Sequence, residues 1–438
     1  MNQDMEKSTD SDSELQRVSE QQADIGPVTV EPHPEGGLQA WTVIFGAALS
    51  FFATFGFVNS FGVFQDYYQT TLLNKSSSST ISLIGAIQLF FMYGAGPIVG
   101  RIYDAYGTNI LLPLGTVITV FSLMMVSLAQ ENKPYQLFLS QGILFGIGIS
   151  LIFNPALAVA SHWFKRKRAY AIGIVAAGSA MGGVVYPIML QRLIPRVGFG
   201  WAVRIAAFVT LVCLGVGCLT IRTRLPLSRR VSLRGLVDLD GFRELDYVLT
   251  GVGSFLVFYA LFTPYFYMEL YAESQGVSPN ISTYLLPIIN AWGVPSRVLP
   301  GMLADKIGAL NVLVPCTLIC GIFVLGLWLT AHTTASIIAF SSIYGLCIGA
   351  FVSLIPAHVA NISPMEKFGA RLGSIYLLVA VSTLVGTPTA GAFVTTIDQS
   401  NFDNLIIFTG VLILVGGLLL LLAGLAARWK KHSAEVRA

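Results

Sequence analysis

Long apolar segments dominate this 438-residue chain and restrict the folds that it can adopt. A helix needs roughly 20 apolar residues to cross a bilayer, and by that criterion the sequence holds about twelve candidate spans. About half of them lie on each side of a polar stretch at residues 222–244. Only 11% of the residues are charged, against roughly 25% in an average soluble domain. The sequence therefore predicts an all-α integral membrane protein.

A short motif occurs at the corresponding place in the two sets of spans. Residues 100–107 read GRIYDAYG and residues 301–308 read GMLADKIG, so both follow the pattern G-x-x-x-D-x-x-G after an apolar run. Internal repeats of this kind are typical of transporters built from two related halves. We therefore expect two six-helix bundles, at residues 35–221 and 245–427, joined by a cytoplasmic linker at 222–244.

The uneven distribution of Lys and Arg predicts the orientation of the chain. With the N-terminus inside the cell, the cytoplasmic loops and tails carry roughly 20 of the 26 basic residues. Positively charged loops stay in the cytoplasm, so both termini are predicted there, with the plasma membrane as the expected location. The polar composition of residues 1–34 predicts a disordered cytoplasmic tail, and residues 428–438 form a second cytoplasmic tail.

Several classes of function are disfavoured. The basic residues are not gathered on a soluble domain, as nucleic-acid binding would require. All five cysteines lie inside predicted spans, where they act as small apolar residues, so no metal site and no cofactor is predicted. The five histidines are scattered, which disfavours a membrane enzyme or receptor, and the sequence contains no nucleotide-binding loop to power a pump. A secondary transporter is favoured, and a non-transporting membrane sensor is a more distant alternative.

Three further motifs resemble those of a known family. Residues 35–41 (EGGLQAW) are similar to an acidic-Gly-Gly sequence that precedes the first span, and residues 55–65 (FGFVNSFGVFQ) to a first-span signature. Residues 177–187 (AGSAMGGVVYP) are similar to a fifth span. With the repeated loop motif, they resemble the fungal branch of the monocarboxylate porters in the major facilitator superfamily, over residues 35 to about 427. The resemblance implies the major facilitator fold of twelve transmembrane helices in two six-helix bundles.

Arg297 is the strongest candidate for a substrate-binding residue. It lies near the middle of the span at 285–304, where a permanent charge usually faces a watery cavity or a partner. By resemblance it matches the eighth-span arginine that binds the substrate carboxylate in monocarboxylate porters. Gly293 stands where animal members carry an acidic residue, and Asn59 replaces a first-span lysine, which disfavours lactate-like proton symport. Snorkelling of Arg297 to an interface, or pairing with a carbonyl, is the alternative.

Other polar and aromatic residues in the spans are weaker candidates. Asn59 and Asn290 are the next candidates for the substrate path, although amides in lipid are more often ties between helices. Glu269, toward the external end of the seventh span, is a candidate for handling protons, which would then be the coupling ion, although a position at the rim in water is favoured. An aromatic run fits either an interfacial belt, which is narrowly favoured, or a wall for a bulky ligand. It comprises Tyr259, Phe262, Tyr265, Phe266, Tyr267 and Tyr271.

Charged residues at the cytoplasmic helix ends predict a conformational latch. Asp104 and Asp305 belong to the repeated motif and are placed to cap a neighbouring helix N-terminus and to meet a guanidinium. Arg168 and Arg371 open the fifth and eleventh spans and are the expected partners. The superfamily resemblance implies that this contact closes in one transport state and opens in the other. A merely structural turn, favoured by the motif glycines, is the alternative.

The fifth span combines small residues with a proline. Gly178, Gly182 and Gly183 let a neighbouring backbone approach closely, and Pro187 removes one backbone hydrogen bond and permits a bend. We expect a packing seam that also moves during transport. Two N-x-S sequons, at Asn74 and Asn280, lie in predicted external loops and are candidate glycosylation sites, although their closeness to the bilayer disfavours occupancy.

The direction of transport stays open at this point. The missing lysine and acidic partners argue against small monocarboxylates, and the aromatic content favours a bulkier molecule. We expect export of a small organic, anionic molecule, an organic acid or a fungal secondary metabolite. The alternative is proton-coupled uptake of a monocarboxylate or a vitamin.

Overall fold

The N-terminal half is built from helices that match the predicted spans. The structure is a computed structural model, and it describes residues 34–224, 238, 240–363, 367–394 and 399–437. The predicted N-terminal tail up to residue 33, most of the linker, and the side chains of Asp104, 399–401 and 431–437 lie outside this description. The helices are α1 (Leu38–Leu72), α2 (Ser78–Gly94, continued by Gly96–Tyr106), α3 (Thr108–Val126), α4 (Pro134–Trp163) and the run Arg168–Thr220.

The run Arg168–Thr220 contains two helices. Gly198 has φ 79° and ψ 160°, a conformation that lies outside the helical region and that glycine adopts readily. The chain turns at this residue, which separates α5 (168–197) from α6 (199–220). The run Arg168–Thr220 therefore contains two membrane spans, although its backbone hydrogen bonds form one continuous helical pattern.

The C-terminal half repeats this arrangement. A short 3-10 helix at Asp240–Arg243 precedes the first span. The helices are α7 (Leu245–Leu261, continued by Thr263–Ser274), α8 (Pro279–Ile307), α9 (Ala309–Trp328), α10 (Thr334–Ile362), α11 (Phe368–Phe393) and α12 (Gln399–Arg437). Within the described ranges, 10 continuous segments are apolar and long enough to span a membrane. Together with α8 and the division at Gly198, this is consistent with the predicted twelve, and the all-α membrane fold is confirmed.

The most extensive contacts between the halves are made by two helix pairs, α5 with α8 and α2 with α11. Glycines bring the backbones together in both pairs. A Cβ added to Gly173 of α5 would lie 2.3 Å from the carbonyl oxygen of Arg297, and one added to Gly301 of α8 would lie 2.6 Å from that of Ala169. In the second pair, a Cβ on Gly373 of α11 would lie 3.2 Å from Pro97 of α2. Only small residues permit such close helix contacts in a membrane.

The first helix of each half is interrupted near its middle. α1 leaves regular geometry at Thr54 (φ −100°, ψ −78°) and again at Ser60 (φ −91°, ψ 3°), and α7 does so at Phe262 (φ −85°, ψ −6°). The interruptions fall at corresponding places of the two halves. Broken helices at mid-membrane depth are typical of transporter binding sites, because they expose polar backbone groups to the centre of the protein.

Candidate functional site

Arg297 lies in the interior of the protein, with only 1% of its surface exposed. Its Nε and Nη1 atoms have no hydrogen-bond partner among the described residues. Its charge interacts with the hydroxyl groups of Tyr265 and Tyr93, which belong to different halves of the protein. A snorkelling arginine would have an exposed tip, so that alternative does not fit. The side chain is a buried cation with unused donors.

The backbone of α8 determines how this guanidinium is oriented. Long side chains on a helix lean towards the helix N-terminus. The Arg297 side chain follows this rule, since its Nη1 lies 3.4 Å from the position that a Cβ on Gly293 would occupy. The methyl group of Ala180 on α5 borders the same position, at 3.5 Å. Small residues on α8 and α5 therefore make room for the guanidinium.

Aromatic rings from both halves pack around Tyr93, which neighbours Arg297. The ring of Tyr93 has its centroid 5.6 Å from that of Phe153 in the N-terminal half and 5.3 Å from that of Tyr376 in the C-terminal half. Phe258 of α7 lies at 5.5 Å and Phe55 of α1 at 6.5 Å. The hydroxyl of Tyr93 has no hydrogen-bond partner in the described part of the chain. Tyr93, Phe153 and Tyr376 were not predicted from the sequence, where a single mid-span aromatic residue carries no distinguishing signal.

The aromatic run of α7 contributes to the same interior. Tyr265 is 4% exposed, and its ring lies 6.1 Å from Phe262 and 6.3 Å from Tyr344. The members of the run are buried except Tyr259, which is half-buried. The narrowly favoured interpretation as an interfacial belt is therefore wrong, because belt residues face the lipid. These rings form part of an internal wall.

The two candidate amides contact each other. Asn59 lies at the second interruption of α1 and donates a hydrogen bond from Nδ2 to Oδ1 of Asn290 on α8, over 3.2 Å. Asn290 in turn donates to the carbonyl oxygen of Leu286, over 3.0 Å. Asn290, Gly293 and Arg297 share one face of α8, with the amide about 10 Å along the helix axis from the arginine. The substrate candidates thus lie along one line, at the seam between the halves.

Asp305 caps the N-terminus of α5. Its two carboxylate oxygens each accept one backbone hydrogen bond of 3.0 Å, from the amides of Ala169 and Tyr170. A carboxylate at a helix N-terminus satisfies free N–H groups and interacts favourably with the helix dipole. Because Asp305 lies in the last turn of α8 and α5 belongs to the other half, the cap is a contact between halves.

Glu35 binds the turn that leads into the same helix. Its carboxylate accepts backbone hydrogen bonds from Lys165, Arg166 and Lys167, at 2.9, 2.6 and 3.3 Å. Two carboxylates, one from each half, therefore hold the start of α5. Glu35 belongs to a motif that the sequence analysis identified, but its contact with the turn at 165–167 was not predicted. Residues 130 positions apart in the chain form no local sequence pattern that would indicate such a contact.

Arg371 has different partners from those that we expected. Its Nε donates to Oδ2 of Asp238 over 3.0 Å, its Nη2 donates to Oε1 of Glu244, and its Nη1 donates to the carbonyl oxygen of Ile362 over 3.1 Å. Among the described side chains, the buried guanidinium is thus bound to carboxylates of the predicted linker and not to the repeated motif. The side chain of Asp104 lies outside the described residues.

The environment of Asp238 and Glu244 lowers the pKa of both groups. Burial alone would raise the pKa of Asp238, but the hydrogen bond from Arg371 and the charges of Lys367 and Arg371 outweigh it. Burial would also raise the pKa of Glu244, and hydrogen bonds from Arg371 and Lys430 outweigh it there. Both carboxylates stay ionised beside the arginine.

Arg168, the other expected latch residue, lies with its guanidinium carbon 5.8 Å from the ring of Phe368, at the start of α11.

The glycines of α5 divide between two neighbours. A Cβ on Gly178 would lie 2.0 Å from the carbonyl oxygen of Ala48 on α1, and a Cβ on Gly182 would lie 2.3 Å from that of Phe52 on the same helix. A Cβ on Gly183 would lie 2.3 Å from the side chain of Asn290 on α8. One face of α5 is therefore packed tightly against α1 of its own half, and an adjacent face is packed tightly against α8 of the other half. Pro187 is buried within α5, and the interruption of this run is at Gly198.

The remaining predicted residues lie near the opposite end of the helices. Asn74, after α1, and Asn280, in the first turn of α8, are both exposed. Glu269 of α7 is half-buried, and the carboxylates of Asp66 and Glu273 interact with it electrostatically.

Comparison with known proteins identifies the family. A model of the Major Facilitator Superfamily matches residues 40–343 and 295–437. The MFS transporter asaE of Aspergillus flavus is 41% identical over 383 residues, which cover 87% of this chain and 86% of that protein. The aspyridones efflux protein apdF of Emericella nidulans is 40% identical over 391 residues, covering 89% and 78%. The agnestins efflux protein AgnL12 of Paecilomyces divaricatus is 39% identical over 394 residues, covering 90% and 89%.

The fold is also similar to that of a solved structure. The human organic anion transporter MFSD10 superimposes with a TM-score of 0.67 over 88% of this chain and 100% of the other, at 14% identity. At that identity the likeness concerns the fold alone. Since the family model matches nearly the whole membrane region and relatives of about 40% identity match most of the chain, the chain belongs to the major facilitator superfamily and is a multi-pass membrane transporter.

Proposed function

We propose that this protein is a secondary active transporter that exports a small organic anion, of the kind made as a fungal secondary metabolite, across the plasma membrane. The observation that carries the proposal is the buried guanidinium of Arg297, whose Nε and Nη1 atoms have no hydrogen-bond partner in the described part of the chain. A charged group at the centre of a membrane protein is costly unless a partner or water compensates it. A substrate anion is such a partner.

The chemistry of the site favours a carboxylate or a similar planar oxyanion. A guanidinium presents its donors in a rigid fork that fits two oxygens at once. The surrounding rings of Tyr93, Tyr265 and their neighbours offer a large apolar surface, suited to a substrate with an aromatic or conjugated body. Because these rings come from both halves, a substrate bound among them would contact both, as alternating access requires.

The printed names of two relatives support export as the direction. Both apdF and AgnL12 are named as efflux proteins for fungal products, aspyridones and agnestins. Proton-coupled uptake, as in the monocarboxylate porters that the motifs resemble, is a second candidate. The grouping of Glu269 with Asp66 and Glu273 favours it, because acidic residues within membrane segments often mark proton pathways. Replacing Glu269 by Gln would abolish the pH dependence of transport under this alternative and leave it unchanged otherwise.

The orientation that we propose has both termini, the tails at 1–34 and 428–438, and the linker at 222–244 in the cytoplasm, with six helices on each side of the linker. The basic turn at residues 165–167 supports it, because positively charged turns are retained on the cytoplasmic side. Impermeant labels added to intact cells should therefore fail to reach epitope tags at either end. Labelling of a tag in intact cells would contradict this topology.

Replacement of Arg297 tests the proposed function directly. Loss of a hydrogen bond to a charged group costs about 1.5–3 kcal/mol, so Arg297→Ala should lower export about 10- to 100-fold. Arg297→Lys keeps the positive charge but loses the planar guanidinium that binds two oxygens at once, so it should lower export less than Arg297→Ala does. Export is measured as the ratio of metabolites in medium and cells, by mass spectrometry, in a gene-deletion strain that expresses each variant at matched surface abundance.

Arg204 provides the matched control. It also lies in a span, but it donates to Ser127 over 3.1 Å and stacks on Trp201 at 5.0 Å, so Arg204→Ala should leave export near the parental level. Equal export by Arg297→Ala and the parent would assign Arg297 to helix packing and refute the proposed binding site.

A further inference from the structure

The absence of a side chain at Gly293 has a direct effect on Arg297. Residues four apart on a helix are neighbours, and the guanidinium reaches back to within 3.4 Å of the position for a Cβ at 293. An acidic side chain at this position would therefore meet the guanidinium and neutralise it. The sequence has glycine there, and Arg297 forms no ion pair with any residue that the structure describes.

The rest of the surroundings provide no replacement for this counter-charge. The groups that interact electrostatically with Arg297 are the phenols of Tyr265 and Tyr93. A neutral phenol accepts a hydrogen bond but carries no charge to offset that of a guanidinium. Ser296, the neighbour of Arg297 on α8, faces α10, where its Oγ lies 2.6 Å from the Cβ position of Gly349. Among the side chains that the structure describes, the site thus holds one positive charge and no fixed negative one.

We propose that Gly293 is a specificity-determining residue, which keeps Arg297 available so that the substrate itself supplies the single negative charge of the loaded site. The transported molecule is then a monoanion that is already ionised when it binds, with a planar oxyanion such as a carboxylate or an enolate. Neutral compounds of the same shape are rejected, because they leave the buried cation uncompensated. This inference rests on the proposed function and refines its substrate class.

Paired substitutions at one position separate charge from bulk. Gly293→Asp and Gly293→Asn introduce side chains of nearly equal size, and a Cβ fits at the observed 3.4 and 3.5 Å spacings. The aspartate should pair with Arg297 and compete with the substrate, whereas the asparagine cannot neutralise it. We expect export by Gly293→Asp to be at least about 10-fold lower than export by Gly293→Asn, as expected when a substrate loses one hydrogen bond to a charged group.

A stability measurement tests the same pairing without any substrate. Neutralising a buried, unpaired cation stabilises a folded protein. The purified Gly293→Asp variant should therefore melt at a higher temperature than Gly293→Asn in the same detergent, by about 1 °C or more, because the shift that a given stabilisation causes becomes smaller as the chain becomes longer. Equal melting temperatures, or a lower one for the aspartate, would overturn the inference.

Metabolite analysis distinguishes failure of this inference from failure of the proposed function. If deletion of the gene changes the amount of no secreted compound, the proposed function is refuted. If deletion retains compounds inside the cells and these are ionised acids near neutral pH, the inference is supported. Retention of neutral or cationic compounds, or equal export by the Asp and Asn variants, refutes the inference and leaves the transport function intact.

Discussion

The side chain of Asn59 on α1 donates a hydrogen bond of 3.2 Å to the side chain of Asn290 on α8, and so links the two halves of the transporter at the depth where α1 is interrupted. Both residues are buried, at 2% and 0% exposure, so neither amide can turn to bulk water instead. A polar bond at this position resists separation of the halves there. It must break or be exchanged when they move apart.

Removal of either amide should therefore weaken the seam by a measurable amount. Hydrogen bonds between membrane helices contribute about 0.6 kcal/mol on average and up to about 1.7 kcal/mol. We expect Asn59→Ala and Asn290→Ala each to lower stability by an amount in this range, and the double variant to lose less than the sum. Unfolding of the purified proteins measures the three changes. Strict additivity would show that the two amides do not interact.

Alanine at two glycines of α5 should have different consequences. In Gly178→Ala the new methyl would lie 2.0 Å from the backbone of Ala48, which cannot move without shifting α1. Overpacking of this kind costs about 1–3 kcal/mol, so the yield and melting temperature of this variant should fall. In Gly183→Ala the methyl meets the side chain of Asn290, which can rotate away at the expense of its bond to Asn59. That variant should fold and should lose stability by an amount similar to that of Asn290→Ala.

Gly215 in α6 is the control for these substitutions. No atom lies within 4 Å of the Cβ position at Gly215 in the described structure, so Gly215→Ala should be neutral or slightly stabilising. Equal loss of stability at all three glycines would point to helix flexibility as the cause and not to packing.

Replacement of Asp305 should slow transport without preventing insertion into the membrane. Asp305→Asn removes the charge that favours the N-terminus of α5 and one of two acceptor oxygens, a loss of about 0.5–2 kcal/mol. Since this contact joins the halves, its loss shifts the balance between transport states, and export should fall several-fold at equal surface abundance. The repeated motif leads us to expect the same of Asp104→Asn.

Glu35→Gln is the comparison variant, because Glu35 binds the same helix start from within the N-terminal half. It should lower the melting temperature of the protein more than it lowers export. Normal export by Asp305→Asn would refute the proposed latch.

The ionic contacts of Arg371 should make stability depend on pH. The pKa values of Asp238 and Glu244 are lower in the folded protein than in the unfolded chain. Their stabilisation is therefore fully present above the unfolded values of about 4 and is lost as pH falls through the lower, folded values. Melting temperature should drop below about pH 4, and the drop should be smaller in Asp238→Asn. Asp240→Asn is the control, since Asp240 pairs with Arg243 on the exposed surface. An unchanged pH profile in Asp238→Asn would contradict this account.

The fold was largely predictable, because a spanning helix must be apolar along about 20 residues and this property is local in the sequence. Even α8, which carries Asn290 and Arg297, was recognised. The division at Gly198 is also a local feature, a glycine with positive φ. The sequence predicts two spans in this run, but it did not single out Gly198 as the residue at which the chain turns, because its conformation depends on how α5 and α6 pack.

The site was predictable only where a residue is unusual for its surroundings. Arg297 stands out because a cation in an apolar segment is rare. The aromatic run of α7 was assigned to the wrong surface, since rings facing lipid and rings facing the centre of a bundle follow the same apolar pattern. The partners of Arg371 were missed for another reason. Asp238 is 133 residues away in the chain, in a charged linker where no carboxylate is distinguished from its neighbours.

The protein can be divided between residues 224 and 238 without separating Asp238 and Glu244 from Arg371. Both carboxylates precede α7 and bind Arg371, so a chain cut between residues 224 and 238 would leave this ionic group complete within the second fragment. The first fragment would retain Glu35 on the turn before α5. Each half thus keeps its own charged contacts, and separately expressed fragments should reassemble through Asp305 and the Asn59–Asn290 bond. The same boundary is where halves of different relatives can be exchanged to form chimeric transporters.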